Sequence, residues 1–235
     1  MIDKSFLKSV AQNHQIELSD KALEQFRVYA DELVQYNEKV NLTAITDPHG
    51  IALKHFADCV IPLKFMGETK GKTLIDVGAG AGFPSLPMKI ASELEVTCLD
   101  SLNKRIVFLD YVSEKIGIKI KTYHLRAEEG GQKKELREKF DFATARAVAS
   151  LSSLCEYCLP FVKVGGYFVA LKGFEVEEEL KNAENAVKIL GGEVERVEKY
   201  DLDEENRRSI ILIKKVRQTP PKYPRPSAKM SKSPL

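Results

Sequence analysis

An α/β fold is the architecture this sequence predicts: a mostly parallel seven-stranded sheet with helices on both faces and a small helical cap ahead of it. Three observations carry the prediction. The first 70 residues show only helical periodicity, short apolar runs alternate with amphipathic stretches from Thr73 onward, and the first of those runs ends in a glycine-rich turn. Strands that alternate with helical patterns imply crossover connections, which cover a parallel sheet on both faces.

Phe6, Leu7 and Val10 share one face of a first short helix. Ser19 has the chemistry of an N-cap, and after it Leu23, Phe26, Ala30, Leu33 and Val34 recur at three- and four-residue spacing. A third stretch sets Ala52, Phe56 and Val60 on one side and stops at Pro62, while segment 37–48 lacks a period and reads as a structured turn. Strand-like runs span 73–77, 95–99, 119–124, 140–145, 167–171, 193–200 and 209–214. Helical patterns cover 84–93, 103–116, 132–139, 151–162 and 176–190. The last two strands follow each other with no helix between them, which predicts an antiparallel strand at one edge. Residues 1–70 thus read as a cap, 71–217 as the α/β body and 218–235 as a basic tail.

With 43% apolar and 30% charged residues, a chain of 235 can bury one full core, which excludes a disordered chain and a disulfide scaffold. No apolar run is long enough to span a bilayer, and the opening MIDKSFLKSV lacks the apolar core of a signal peptide. The expectation is a soluble, cytosolic monomer without a membrane partner. Cys59 and Cys98 stand alone, and the Cys155/Cys158 pair lies in a helical stretch with no second pair or histidine cluster nearby. Buried thiols are therefore expected, not zinc ligands, and His14, His49, His55 and His124 show no metal spacing. Net charge is only +2, yet residues 214–235 hold seven Lys or Arg and no acid, against 29 and 34 in residues 1–213. That asymmetry suits a polyanion contact, or a tail that is simply solvated.

Open parallel sheets bind ligands at the carboxyl ends of their strands. Here the first strand ends in Asp76-Val77-Gly78-Ala79-Gly80-Ala81-Gly82-Phe83-Pro84, a turn whose glycines let the backbone approach a ligand closely. A dinucleotide fingerprint needs a third glycine where Phe83 stands. The second strand leads to Asp100, whose carboxylate can accept hydrogen bonds from both hydroxyls of a ribose, or can cap the helix starting near Asn103. Together these features fit an adenosine that carries no pyrophosphate.

These residues also carry a resemblance. Asp76–Pro84 with Asp100 is similar to the S-adenosylmethionine (AdoMet) signature of class I methyltransferases, whose sheet is Rossmann-like. More narrowly, the chain resembles the bacterial 16S ribosomal RNA guanine-N7 methyltransferases, the glucose-inhibited division protein B family. The likeness covers nearly the whole chain: Tyr36 to Ile45, His55-Phe56-Ala57-Asp58, the glycine turn, Asp100 to Arg105, Arg126-Ala127-Glu128, Ala145 to Ala149, Leu171-Lys172-Gly173 and Thr219 to Arg225. It implies AdoMet as cofactor and 16S ribosomal RNA, or the small ribosomal subunit, as partner. It further implies cofactor contacts at Gly78 and Phe83, at Ala127 and Glu128 near the adenine, and at Arg146 near the reactive end, with Asp76 and Gly80 in the same turn. Lys172 is implied in RNA contact, and Lys222, Tyr223 and Arg225 offer a stiff segment with one ring and two cations. The family it resembles often follows Lys-Tyr-Pro-Arg with a basic residue and a glycine before the final Pro-Leu, whereas Pro226-Ser227-Ala228 intervene here.

A guanidinium repels a sulfonium, so Arg146 is expected on the methionine carboxylate or an RNA phosphate. The Asn/Asp-Pro-Pro-aromatic motif of exocyclic amine methylation is missing after the fourth strand, and Cys155 and Cys158 are poor nucleophiles inside a helix. Guanine N7 has an in-plane lone pair and no proton to lose, so no catalytic acid, base or nucleophile is expected. Two rival classes stand beside this reading: a dinucleotide-dependent oxidoreductase and a non-catalytic nucleotide- or RNA-binding module.

Overall fold

The computed structural model describes residues 1–146 and 149–235, so Ala147 and Val148 of the Ala145–Ala149 motif lie outside the described residues. A seven-stranded sheet forms the centre, in the order β3-β2-β1-β4-β5-β7-β6. Its strands are β1 (Thr73–Val77), β2 (Glu95–Asp100), β3 (Lys121–His124), β4 (Phe140–Arg146), β5 (Val162–Gly173), β6 (Gly192–Asp201) and β7 (Arg207–Lys215). β1 to β5 pair in parallel, and β7 is antiparallel to both of its neighbours, β5 and β6. This corrects the expected antiparallel edge. The reversed strand is inserted one place inside, and the edge strand β6 runs with the rest.

The cap begins with α1 (Lys4–Asn13) and α2 (Asp20–Asn37), the latter capped by Ser19 as its spacing predicts. The aperiodic turn is organised by one side chain: Asn37 accepts from the Leu42 and Thr43 N–H groups and donates to the Thr43 carbonyl. What reads as a single helix up to Pro62 is wound in several ways. α3 (Pro48–Gly50) runs into a π-helical segment, Ile51–Ala57, then α4 (Asp58–Val60) and a 3₁₀ turn, Ile61–Phe65. Six of the seven π-helical residues are buried, more than the stripe of an ordinary α-helix could hide.

In the body, α5 (Ser85–Ala91), α6 (Asn103–Lys115), α8 (Leu151–Cys158) and α9 (Glu177–Ile189) follow the predicted pattern. The helix expected over 132–139 is absent. The chain makes the short α7 (Ala127–Gly130) instead and then turns, because Leu136 is the only apolar residue in 132–139 and cannot supply a helical stripe. The tail ends in α10 (Ser227–Lys232). No helix among the described residues is long and apolar enough to cross a membrane.

Side-chain alternation along the strands builds a core on each face. Leu74, Phe142, Ile210 and Leu212 join α5 and α6 with the cap residues Leu7, Phe26, Leu33 and Phe56 in one cluster. Ile75, Ala143, Ile211 and Ile213 face α8, α9 and Tyr223 in the other. The cap therefore closes one face of the sheet and shares its core.

Candidate active site

Strand order reverses between β2-β1 and β4-β5, which opens a crevice at their carboxyl ends. A cavity of about 410 Å³ lies there, lined among others by Gly78, Asp100, Leu125, Ala127, Glu128, Leu154 and Tyr157. Gly78 has φ +77° and nothing within 4 Å of the point where a Cβ would stand, so bare backbone faces the cavity. Its N–H and that of Ala79 donate to the Leu99 carbonyl at 2.8 and 3.1 Å, tying the turn to β2.

Asp100 is 1% exposed and holds this arrangement together. One oxygen accepts from Gly80 N–H at 2.9 Å and from the Arg105 guanidinium at 3.3 Å; the other accepts from Leu102 N–H at 2.9 Å. Leu102, not Asp100, stands at the N-cap of α6. Asp76 is fully buried outside the cavity lining and accepts from Ser85 N–H, bridging the two ends of the glycine turn. Its second oxygen has no partner among the described residues, and burial lifts its pKa to about 6.

Phe83 and Arg146 stand elsewhere than beside Gly78. The Phe83 ring is 6% exposed, stacked on His55 at 4.3 Å and on Tyr29 at 5.5 Å, with the Arg146 guanidinium 5.0 Å from its centroid. Arg146 donates to the Lys54 carbonyl at 3.0 Å and to His55 Nδ1 at 3.1 Å. A guanidinium only donates, so His55 carries its proton on Nε2, which donates to Thr43 Oγ1 at 2.8 Å. Burial and the adjacent Arg146 charge push His55 down to about 4. Asp58 completes the group, 3.8 Å from Arg146 and 3.3 Å from Arg208, while it accepts from Tyr200 at 3.1 Å. This knot bounds a second cavity of about 350 Å³, which Lys54, Leu171 and Lys172 also line. Lys172 Nζ, in the second lining, donates to the carbonyl of Ala149, a residue of the first.

Ala127 and Glu128 open α7, just past β3, and both line the first cavity. Expectations about the tail and Lys172 change. Tyr223 offers no exposed stacking ring: it is 6% exposed and packed in the core beneath α8. Arg225 is no free cation, because the Glu156 carboxylate takes its guanidinium at 2.8 and 2.6 Å. Lys172 is likewise paired, with Glu179 at 2.6 Å, whereas Lys222 stays exposed. Reasoning from sequence missed the roles of His55, Asp58 and Arg208 around Arg146. It also missed Ser227, Met230 and Ser231, which bring the tail into the first cavity. The quoted His55-Phe56-Ala57-Asp58 stretch was the available signal for the knot. All four cysteines are unpaired and buried, and no metal-binding cluster occurs among the described residues.

Comparison with known proteins points the same way. The chain matches the family model GidB, described as rRNA small subunit methyltransferase G, over residues 22–211. It is 51% identical over 235 residues to a Lactobacillus johnsonii protein named ribosomal RNA small subunit methyltransferase G, covering 98% of both chains. A protein of the same name from Exiguobacterium sibiricum is 48% identical, with 100% of both chains covered. Among solved structures the fold is similar to a ribosomal protein L11 methylase from Lactobacillus delbrueckii subsp. bulgaricus. That match has a TM-score of 0.52 and 15% identity over 70% of this chain and 79% of that one. Geranyl diphosphate methyltransferase in complex with SAM gives 0.53 and 12% over 68% and 85%.

Proposed function

The chain belongs to the rRNA small subunit methyltransferase G family, and from that membership we propose that it moves the methyl group of AdoMet onto N7 of a guanine in 16S ribosomal RNA. The observation that carries this reading is the first cavity, where a bare glycine turn faces a buried carboxylate one strand away. Those residues suit AdoMet. Asp100 accepts three hydrogen bonds inside the protein and keeps acceptor capacity for a sugar hydroxyl. Ala127 and Glu128 line the same space and would read the adenine edge. Asp76 and Gly80 act on the cofactor through the shape of the turn, and Phe83 and Arg146 through the cap that grips it. The unpartnered oxygen of Asp76 leaves one acceptor of the turn unfilled.

Bound there, AdoMet supplies a methyl group on a sulfonium, an electrophile that needs no activation. The protein's part is alignment. N7 brings its own lone pair, so no side chain has to take a proton, and the buried, raised thiol of Cys59 beside Arg146 has no role in attack. Orientation of this kind is worth roughly 7–11 kcal/mol of barrier, enough to carry the rate. The base enters from the second cavity, whose cations Lys54, Arg146, Lys172 and Arg208 outnumber its one carboxylate, Asp58. Lys222 adds an exposed cation for the RNA backbone, while Tyr223 and Arg225 serve by fixing the tail.

Mapping N7-methylguanine in 16S ribosomal RNA from cells with and without the protein tests the proposal directly. One modified guanine should vanish with the gene and return when purified protein and AdoMet are added to the unmodified RNA. An unchanged map overturns the reading, as does a melting temperature that rises with NAD(P) but not with AdoMet.

A further inference from the structure

One wall of the first cavity comes from the C-terminal tail. α10 brings Ser227, Met230 and Ser231 to the lining, and Met230 is 2% exposed. We propose that the C-terminal tail is the retaining wall of the cofactor cavity, with Met230 packing against the bound nucleoside and slowing its release. The inference rests on the reading of that cavity as the AdoMet site.

The tail is fastened in a way that delivers α10 to this place. Arg137 donates to the carbonyls of Thr219 and Tyr223, both at 2.8 Å, and of Pro220 at 3.3 Å. Lys215, fully buried, holds Thr219 Oγ1 at 2.7 Å. Arg225 binds Glu156 through its guanidinium, and its backbone N–H adds a third bond to that carboxylate at 2.8 Å. Glu156 lies on α8, whose Leu154 and Tyr157 line the cavity opposite. Gln132, just past α7, donates to the carbonyls of Pro221 and Pro224 at 3.3 and 3.2 Å. Two of the anchors thus adjoin other walls of the cavity: Glu156 on α8, and the turn that follows α7.

α10 itself is detachable. It has six residues, buries only Met230, and is too short to persist as a helix away from the body. A thioether is a polarizable, adaptable surface for a nucleoside. Because the docked tail and the ligand complete one cavity, each must favour the other by the same factor.

Full-length protein and S-adenosylhomocysteine are sufficient for the test. Trypsin cuts beside Lys229 and Lys232, and the ligand should protect both bonds in the wild-type chain. Met230→Ala and Arg225→Ala should each release the ligand about tenfold faster, the scale set by burying one methionine side chain, and should lose that protection. Equal cleavage with and without bound ligand overturns the inference, and so does wild-type release from both variants. The protection experiment needs no variant, so a misfolded mutant leaves it intact. Wild-type protein that fails to bind S-adenosylhomocysteine at all sinks the cofactor reading itself, a distinct result.

Discussion

His55 is the residue at which geometry and protonation constrain each other most tightly. Its Nδ1 must accept from Arg146, so a second proton there would break the knot and set two cations side by side. An unfolded histidine takes up that proton near pH 6.5, and the buried one only near 4. Its contribution to stability is therefore complete above pH 6.5 and is lost as pH falls toward 4. Asp76 has the opposite sign: with a pKa raised to about 6, it favours the fold below pH 3.8 and loses that contribution as pH rises through 6. The wild-type stability advantage over His55→Gln should shrink by roughly 2 kcal/mol between pH 7 and pH 4.5 in urea denaturation. A pH-independent difference would show that the ring is not held neutral. Substitutions at Asp100 and Arg146 test the two halves of the proposed site separately. Asp100→Ala should weaken AdoMet binding about tenfold or more by calorimetry, as expected on losing hydrogen bonds to a charged group. Arg146→Ala should suppress methyl transfer instead. Unchanged affinity in the first and unchanged turnover in the second would redraw the site.

The turn between β1 and α5 shows how one element serves two masters. Gly78 faces open space, whereas a Cβ on Gly82 (φ +95°) would lie 2.7 Å from the Tyr29 hydroxyl and 2.9 Å from Leu86. Tyr29 donates to the neighbouring Ala81 carbonyl, so the cap is fitted closely to this turn. Gly82→Ala should lower thermal stability by more than the roughly 1–3 kcal/mol of backbone strain alone. Gly78→Ala should cost only that strain and should show its main effect as lost AdoMet affinity. Equal melting temperatures in the two variants would argue against the division.

Cap and body share a core, and that sets how the whole molecule fails. Phe26 and Phe56 are fully buried with ring centroids 4.7 Å apart, in the cluster that also holds Leu86 and Phe108 of the body. Phe26→Ala should cost about 3–5 kcal/mol. The loss should appear as one shifted transition in both calorimetry and circular dichroism. A separate early transition of the cap would mean that residues 1–70 fold on their own.

The order of strands and helices, the capping Ser19, the glycine turn and Asp100 were legible in the linear chain. Each depends on near neighbours, on periodicity or on local backbone freedom. The stretch 132–139 misled because its charges imitate a helical surface while Leu136 alone cannot dock it. Tertiary structure alone decided that Phe83 would face the cap, that β7 would slip between β5 and β6, and that Tyr223 would be buried. It also decided which charges meet. Arg146 finds His55 across 91 residues and Arg208 finds Asp58 across 150, pairings no local pattern encodes because the cost of closing such loops is met by the assembled core.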